Sequence, residues 1–108
     1  MNTNQLTYFI AVAENQNFTK AAAQCYLTQT AITQQIQILE KQMDVVLIDR
    51  TSRPIKLTPA GHIFYHEAKD ILARINLAIQ NTKMPTMQLL AYFGLAMLKH
   101  SKAVICQI

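Results

Sequence analysis

The fold is decided by residues 17–42, NFTKAAAQCYLTQTAITQQIQILEKQ, which predict two short helices with a tight break between them. The first is rich in alanine. The break falls just before Thr28, whose hydroxyl can accept an orphan backbone N–H as the N-cap of the second helix. Apolar residues then recur at the i, i+4, i+7 and i+11 spacing of one buried helix face. They are Ile32, Ile36, Leu39 and Met43.

The other face of the second predicted helix carries neutral amide and hydroxyl side chains where mixed charges are usual. They are Gln29, Thr30, Thr33, Gln34 and Gln37. A glutamine amide can bond to N6 and N7 of adenine, and a threonine offers its hydroxyl and methyl groups to thymine. Tolerated surface residues are the competing explanation. Because an alanine-packed helix precedes at a tight turn, as in a helix-turn-helix, we predict that these five side chains contact base edges.

Two further patterns flank the helix pair. Residues 4–15 predict a first helix that shares a small core with the other two. After Met43, the aliphatic run 45–48 and the alternating run 55–57 predict two strands joined by the charged turn DRTSRP. Arg50 and Arg53 lie at the tip of this two-stranded wing. A solvated hairpin is the alternative, but the position beside the helix pair favours contacts to the DNA backbone and minor groove.

A long helix is predicted after the wing. Thr58 and Pro59 supply an N-cap hydroxyl and a proline at the first helical position. Apolar positions then alternate in steps of four and three, as in a heptad seam. The residues expected to pair with a second chain are Phe64, Ala68, Ile71, Ile75 and Ala78. A helix of about 25 residues spans roughly 37 Å, longer than the small head it leaves, so pairing is favoured over folding back.

Length and charge limit what one copy of the chain can do. The 108 residues provide one domain with room for an appendage, and 51% of them are hydrophobic. The formal net charge is +4, but residues 1–83 carry only eight basic groups against six acidic ones. A monomer would hold few phosphates, so we expect two copies on one double-stranded DNA.

Other classes of site find little support in the sequence. Cys25 and Cys106 show neither a metal-ligand spacing nor a disulfide framework. His62 and His66 lie one helical turn apart, but the glutamate follows the second histidine, so we expect no metal. The sequence has no nucleophile–base arrangement and no glycine-rich phosphate loop, so we expect no catalytic residues and no cofactor. No secretory signal or membrane-length apolar run is visible, which predicts a cytoplasmic protein without a membrane partner.

Residues 6–61 resemble the N-terminal region of LysR-type transcriptional regulators. The family patterns are close to "FxxAAxxLxxSQxAxSxQIxxLE" and "LGxxLFxRxxRxxxLTxAG". The residues that fit in register are Phe18, Ala21, Ala22, Gln29, Ala31, Gln35, Ile36, Leu39, Glu40, Leu47, Arg50, Arg53, Leu57, Thr58, Ala60 and Gly61. Departures include Thr28 and Thr33 for serine, Thr30 for proline, Gln34 for arginine, and Asp44 for glycine.

This resemblance implies a mainly α fold, a winged helix-turn-helix with a two-stranded wing, dimerised through the long linker helix. It implies base contacts by Gln29, Thr30, Thr33 and Gln34, and an Arg53 that enters the minor groove. Phosphate contacts are implied for Thr28, Arg50 and Ser52. The expected partners are an operator with two half-sites and a second copy of the chain.

The resemblance also divides the chain into three segments. Residues 1–58 correspond to the DNA-binding domain, residues 59–83 to the dimerisation helix, and residues 84–108 to the start of an effector-binding domain that is otherwise absent. We therefore expect a truncated, sequence-specific DNA-binding regulator that acts as a dimer without effector control. Two alternatives remain. The chain could be an interaction module that pairs with a full-length relative, or a remnant without function.

Overall fold

The computed structural model describes residues 1–83, which form four helices and one two-stranded antiparallel sheet. The elements are α1 (Thr3–Asn15), α2 (Phe18–Gln24), α3 (Gln29–Met43), β1 (Ile48–Asp49), β2 (Lys56–Leu57) and α4 (Pro59–Thr82). This confirms the mainly α winged helix-turn-helix followed by a long helix. The predicted start of a further domain at residues 84–108 lies outside the described residues.

Side-chain caps fix the ends of the first three helices. The Asn2 side chain accepts the N–H of Gln5 at 2.9 Å, and the Gln5 side chain accepts the N–H of Asn2 at 3.3 Å. The predicted cap of α3 is present, since the Thr28 hydroxyl oxygen accepts the N–H of Ala31 at 3.1 Å. Asp44 ends α3 in the left-handed conformation, with φ of 57°. A short polar side chain tolerates this conformation better than most residues do.

Helices α1, α2 and α3 pack on one another around a small apolar core. The largest fully buried side chains are Phe9, Val12, Ile32, Ile36, Leu39 and Leu47. The predicted face of α3 is confirmed for its first three residues, and Met43 packs half-buried against the same core. Cys25 is also half-buried beside the core, and desolvation raises the pKa of its thiol.

The wing is shorter than the sequence predicts. Each strand has only two residues, in the register Ile48 with Leu57 and Asp49 with Lys56. The predicted run 45–48 begins as a strand only at Ile48. Leu47, just before it, donates its N–H to the carboxylate of Glu40 at 2.7 Å, and its carbonyl accepts the N–H of Thr58 at 3.0 Å.

Thr58 joins the wing to α4. Its hydroxyl donates to the carbonyl of Val46 at 2.6 Å and accepts the N–H of Gly61 at 3.0 Å, which confirms the predicted N-cap. Gly61 is buried so close to the wing that an added Cβ would lie within 3.0 Å of the Leu47 carbonyl oxygen. Only glycine fits at this crossing without a backbone shift.

The first turns of α4 pack on α1 within the compact unit Met1–Arg74. The rings of Phe64 and Phe9 lie 5.5 Å apart, and the Tyr65 hydroxyl donates to Glu14 at 2.6 Å. Lys69 forms an exposed ion pair with the same carboxylate at 3.7 Å. Part of the helix therefore does fold back on its own domain.

Candidate nucleic-acid interface

The polar face of α3 points to solvent. Its exposed residues are Gln29, Thr30, Gln34 and Gln37, and Thr33 is half-buried. The opposite face of the same helix is fully buried in the core. The helix is thus divided into a packing side and a side whose amide and hydroxyl groups face solvent.

Neighbouring helices hold α3 through polar contacts that the sequence analysis did not identify. Gln5, only 4% exposed, donates from its side-chain amide to the Gln35 side chain at 3.2 Å. On α2, the Thr19 hydroxyl donates to the side-chain oxygen of Gln29, also at 3.2 Å. These contacts anchor α3 at its first and second turns, so the orientation of its polar face is set by α1 and α2.

The tip of the wing is closed by its own hydrogen bonds. The Asp49 carboxylate accepts the hydroxyl and the N–H of Thr51 at 2.6 and 2.9 Å, and the hydroxyl of Ser52 at 3.3 Å. These bonds, those from Thr51 above all, lower the pKa of Asp49 because they favour its charged form. The exposed Arg53 guanidinium donates to the carbonyls of Arg50 and Ser52 at 2.7 and 3.0 Å.

One carboxylate connects α3 to the wing. One Glu40 side-chain oxygen accepts the N–H groups of Leu47 and Ile48 at 2.7 and 3.1 Å, and the other pairs with Arg50 at 3.2 Å. The Arg50 guanidinium also lies 5.4 Å above the centre of the Phe18 ring at the start of α2. Three elements therefore meet at one ion pair.

A cleft of about 420 Å³ opens between the start of α2, the first turns of α3 and the wing tip. It brings together four of the nine residues predicted to touch DNA: Gln29, Thr33, Arg50 and Arg53. The five others, Thr28, Thr30, Gln34, Gln37 and Ser52, lie outside its lining. The cleft joins side chains of α3 that carry amide and hydroxyl groups with the two arginines of the wing.

The residues predicted to pair with a second chain divide into two groups. Phe64 already packs on Phe9, and Ala68 is fully buried within the chain. Further along α4, Ile71 and Ile75 are 43% and 38% exposed, and Ala78 is exposed as well. Of the five residues, Ile71, Ile75 and Ala78 are therefore the ones exposed in the single chain.

Within residues 1–83, no group of three or more histidine, cysteine or acidic side chains is placed to hold a metal ion. None of the described helices is both long enough and apolar enough to cross a membrane.

Residues 3–62 match the family model described as "Bacterial regulatory helix-turn-helix protein, lysR family". The chain is 42% identical over 83 residues to the HTH-type transcriptional regulator BenM of Acinetobacter baylyi, covering 77% of this chain and 27% of BenM. It is 43% identical over 83 residues to the regulator BudR of Raoultella terrigena, covering 77% and 29% of the two chains. The chain thus spans about a quarter of the length of these relatives.

Solved structures with the same fold include DNA complexes. The DNA-binding domain of BenM bound to benA site 1 DNA superimposes with a TM-score of 0.75 at 42% identity, covering 77% of this chain and 93% of that one. The complex of the CbnR DNA-binding domain with DNA gives 0.74 at 42% identity, covering 77% and 95%. The family model covers more than half of the chain. The chain therefore belongs to the lysR family of bacterial regulatory helix-turn-helix proteins, and its N-terminal part is the DNA-binding domain of a LysR-type transcriptional regulator.

Proposed function

We propose that this chain reads a specific operator as a homodimer, with one α3 in the major groove of each of two half-sites. The observation that carries the proposal is the solvent-facing row of neutral side chains on α3, next to a wing with an exposed arginine. A row of this composition lacks the charge for tight non-specific binding, but each member can bond to a base edge.

The base contacts follow from the order of residues along α3. Gln29, Thr30 and Thr33 lie in its first turns, which in a helix-turn-helix approach the base edges most closely. Gln34 and Gln37 extend the same face. Thr19 restrains the Gln29 side chain through its hydroxyl. We expect Gln29 to be the most discriminating contact, because a restrained amide loses less conformational entropy on binding.

The wing adds contacts outside the major groove. We assign Arg53 to the minor groove, since its guanidinium is exposed at the tip, where it donates to two backbone carbonyls. Narrow minor grooves attract arginine through their enhanced negative potential. We assign Thr28, at the start of α3, and Ser52, at the wing tip, to phosphate contacts; the Ser52 hydroxyl would exchange its bond to Asp49 for one to a phosphate. These contacts fix the register of α3 on the duplex.

The dimer is assigned to α4. Ile71, Ile75 and Ala78 follow one another at heptad spacing on this helix and are exposed in the single chain. Residues 59–83 would form the dimerisation segment and residues 1–58 the reading head. With a formal excess of two positive charges in residues 1–83, eight basic against six acidic groups, one head has little attraction for phosphates. Two linked heads raise the effective concentration of the second at its half-site.

Selection of bound duplexes from a random pool at about 150 mM salt tests this function, since that salt concentration weakens non-specific phosphate binding. We expect a motif of two inverted half-sites. Gln29→Ala should erase the preference at the innermost contacted base pairs, whereas Gln42→Ala, an exposed glutamine at the other end of α3, should not. Ile75→Asp should leave folded monomers with weak binding to single half-sites. Recovery of no motif by cooperatively folded chains would refute the proposal.

A further inference from the structure

We infer that Arg50 is a positioning residue that holds the wing at a set angle to the recognition helix α3, and that it is not a phosphate ligand. The inference rests on the proposed function, since the angle matters only if α3 and the wing occupy neighbouring grooves of one duplex. It gives this arginine a different role from the phosphate contact that the family resemblance implies.

The guanidinium of Arg50 is already engaged, and its Nε–Nη2 edge is buried, although the side chain as a whole is 33% exposed. Nη1 pairs with Glu40, and one face of the group lies over the Phe18 ring. Nε and Nη2 are buried, and neither has a hydrogen-bond partner among the described residues. A phosphate oxygen needs accessible N–H groups, and arginine binds phosphate best through two of them at once. The enclosed edge of Arg50 cannot offer that pair.

The partner of Arg50, Glu40 of α3, also contacts the backbone at the base of the wing. The Glu40 side chain is 11% exposed, and it also fixes the N–H groups of Leu47 and Ile48. Arg50 therefore couples the wing to the second half of α3, and through Phe18 it reaches the start of α2. Breaking a partly buried ion pair leaves an uncompensated charge, so each partner constrains the other.

The wing tip depends on the backbone of Arg50. Its carbonyl accepts a hydrogen bond from the Arg53 guanidinium at 2.7 Å. Any rotation of the wing that moves Arg50 away from Glu40 also moves the point where Arg53 is held. In this way an ion pair inside the domain sets where the exposed arginine meets DNA.

A double-mutant cycle separates positioning from phosphate binding. Arg50→Gln, Glu40→Gln and the double variant are compared with wild type on the duplex selected from the random pool. Each single variant should weaken binding by about tenfold, and the double variant by about the same factor, because either change breaks the same coupling. These variants should lose base preference at the same base pairs as Arg53→Gln does. They should retain the preference at the base pairs that α3 contacts. Arg74→Gln, an exposed cation on α4, controls for net charge.

A phosphate ligand would behave differently. Arg50→Gln would then lower the slope of log K against log salt by about 0.9, uniformly across sequences, and Glu40→Gln would leave binding unchanged or tighter. That result overturns the inference, and so does an Arg50→Gln chain that binds like wild type.

Hydrogen exchange gives a readout that does not need DNA. The N–H of Thr58, which donates to Leu47 and not to Glu40, should exchange faster by a common factor in both single variants and in the double variant. Exchange in α1 should be unchanged. If wild type selects no sequence but this common factor is found, the proposed function fails while the coupling stands. Unchanged Thr58 exchange in Arg50→Gln refutes the coupling itself.

Discussion

Replacement of Gly61 by alanine is expected to destabilise the head, although alanine is the better helix former. Gly61 lies in the first turn of α4, and an added Cβ would come within 3.0 Å of the Leu47 carbonyl oxygen. It would also lie 3.2 Å from the Cβ of Leu57. The first of these neighbours is backbone, and that carbonyl already accepts the N–H of Thr58 at 3.0 Å. The methyl group can therefore be accommodated only if α4 and the wing move apart.

Three contributions set the size of the effect. Forcing a methyl group into a packed crossing costs about 1–3 kcal/mol. Weakening the Thr58–Leu47 hydrogen bond costs roughly another 1 kcal/mol. The greater helix propensity of alanine offsets about 1 kcal/mol of this. The net loss is about 2 kcal/mol, which corresponds to a fall in Tm of about 10 °C for a domain of this size.

Thermal and urea unfolding, followed by circular dichroism at fixed protein concentration, measure this loss. Ala73→Gly is a suitable comparison because Ala73 is exposed in the middle of α4 and touches no wing residue, so only propensity changes, by about 1 kcal/mol. If Gly61→Ala is as stable as wild type or more so, the helix and wing are not held at the close distance described, and the reasoning fails.

Three other changes probe single contacts. Thr28→Ala removes the hydroxyl that accepts the Ala31 N–H and should lower the unfolding free energy in urea by about 1 kcal/mol. The Thr51 hydroxyl and N–H lower the pKa of Asp49, so the stability from this carboxylate is present above its unfolded pKa and is lost as pH falls through the folded value. Asp49→Asn should abolish the acid dependence of Thr51 amide exchange below about pH 4. The Tyr65 hydroxyl raises the pKa of Lys69. The stability that this lysine contributes is therefore present below its unfolded pKa and is lost as pH rises through its folded pKa. Tyr65→Phe should lower the titration midpoint of Lys69, as measured by NMR.

Local patterns predicted most of the fold. The buried face of α3 repeats every three or four residues, and the caps Thr28 and Thr58 act on N–H groups three residues away, so both are visible in a short window. The left-handed Asp44 is also a local property. These features can be predicted without knowing which elements pack on one another.

Contacts between elements were not predictable in the same way. Glu40 finds partners seven, eight and ten residues further along the chain, and nothing in its neighbourhood distinguishes it from a solvated glutamate. The same holds for Gln5, buried against α3 thirty positions away. The wing is shorter than predicted, and the Glu40 carboxylate that accepts the N–H groups of Leu47 and Ile48 at its base is also a contact between elements. The ion pair of Arg50 with Glu40 was not foreseen, because charge alone cannot reveal an internal partner.

The division of α3 into a core side and a solvent side has a consequence for changing specificity. Thr30, Gln34 and Gln37 are exposed, and their side chains form no hydrogen bond within residues 1–83. Substitutions there alter the molecular surface without removing any contact that holds the domain together. A library randomised at these three positions should therefore consist mostly of folded proteins with altered operator preferences. A library randomised at Ile32, Ile36 and Leu39 should consist mostly of unfolded chains.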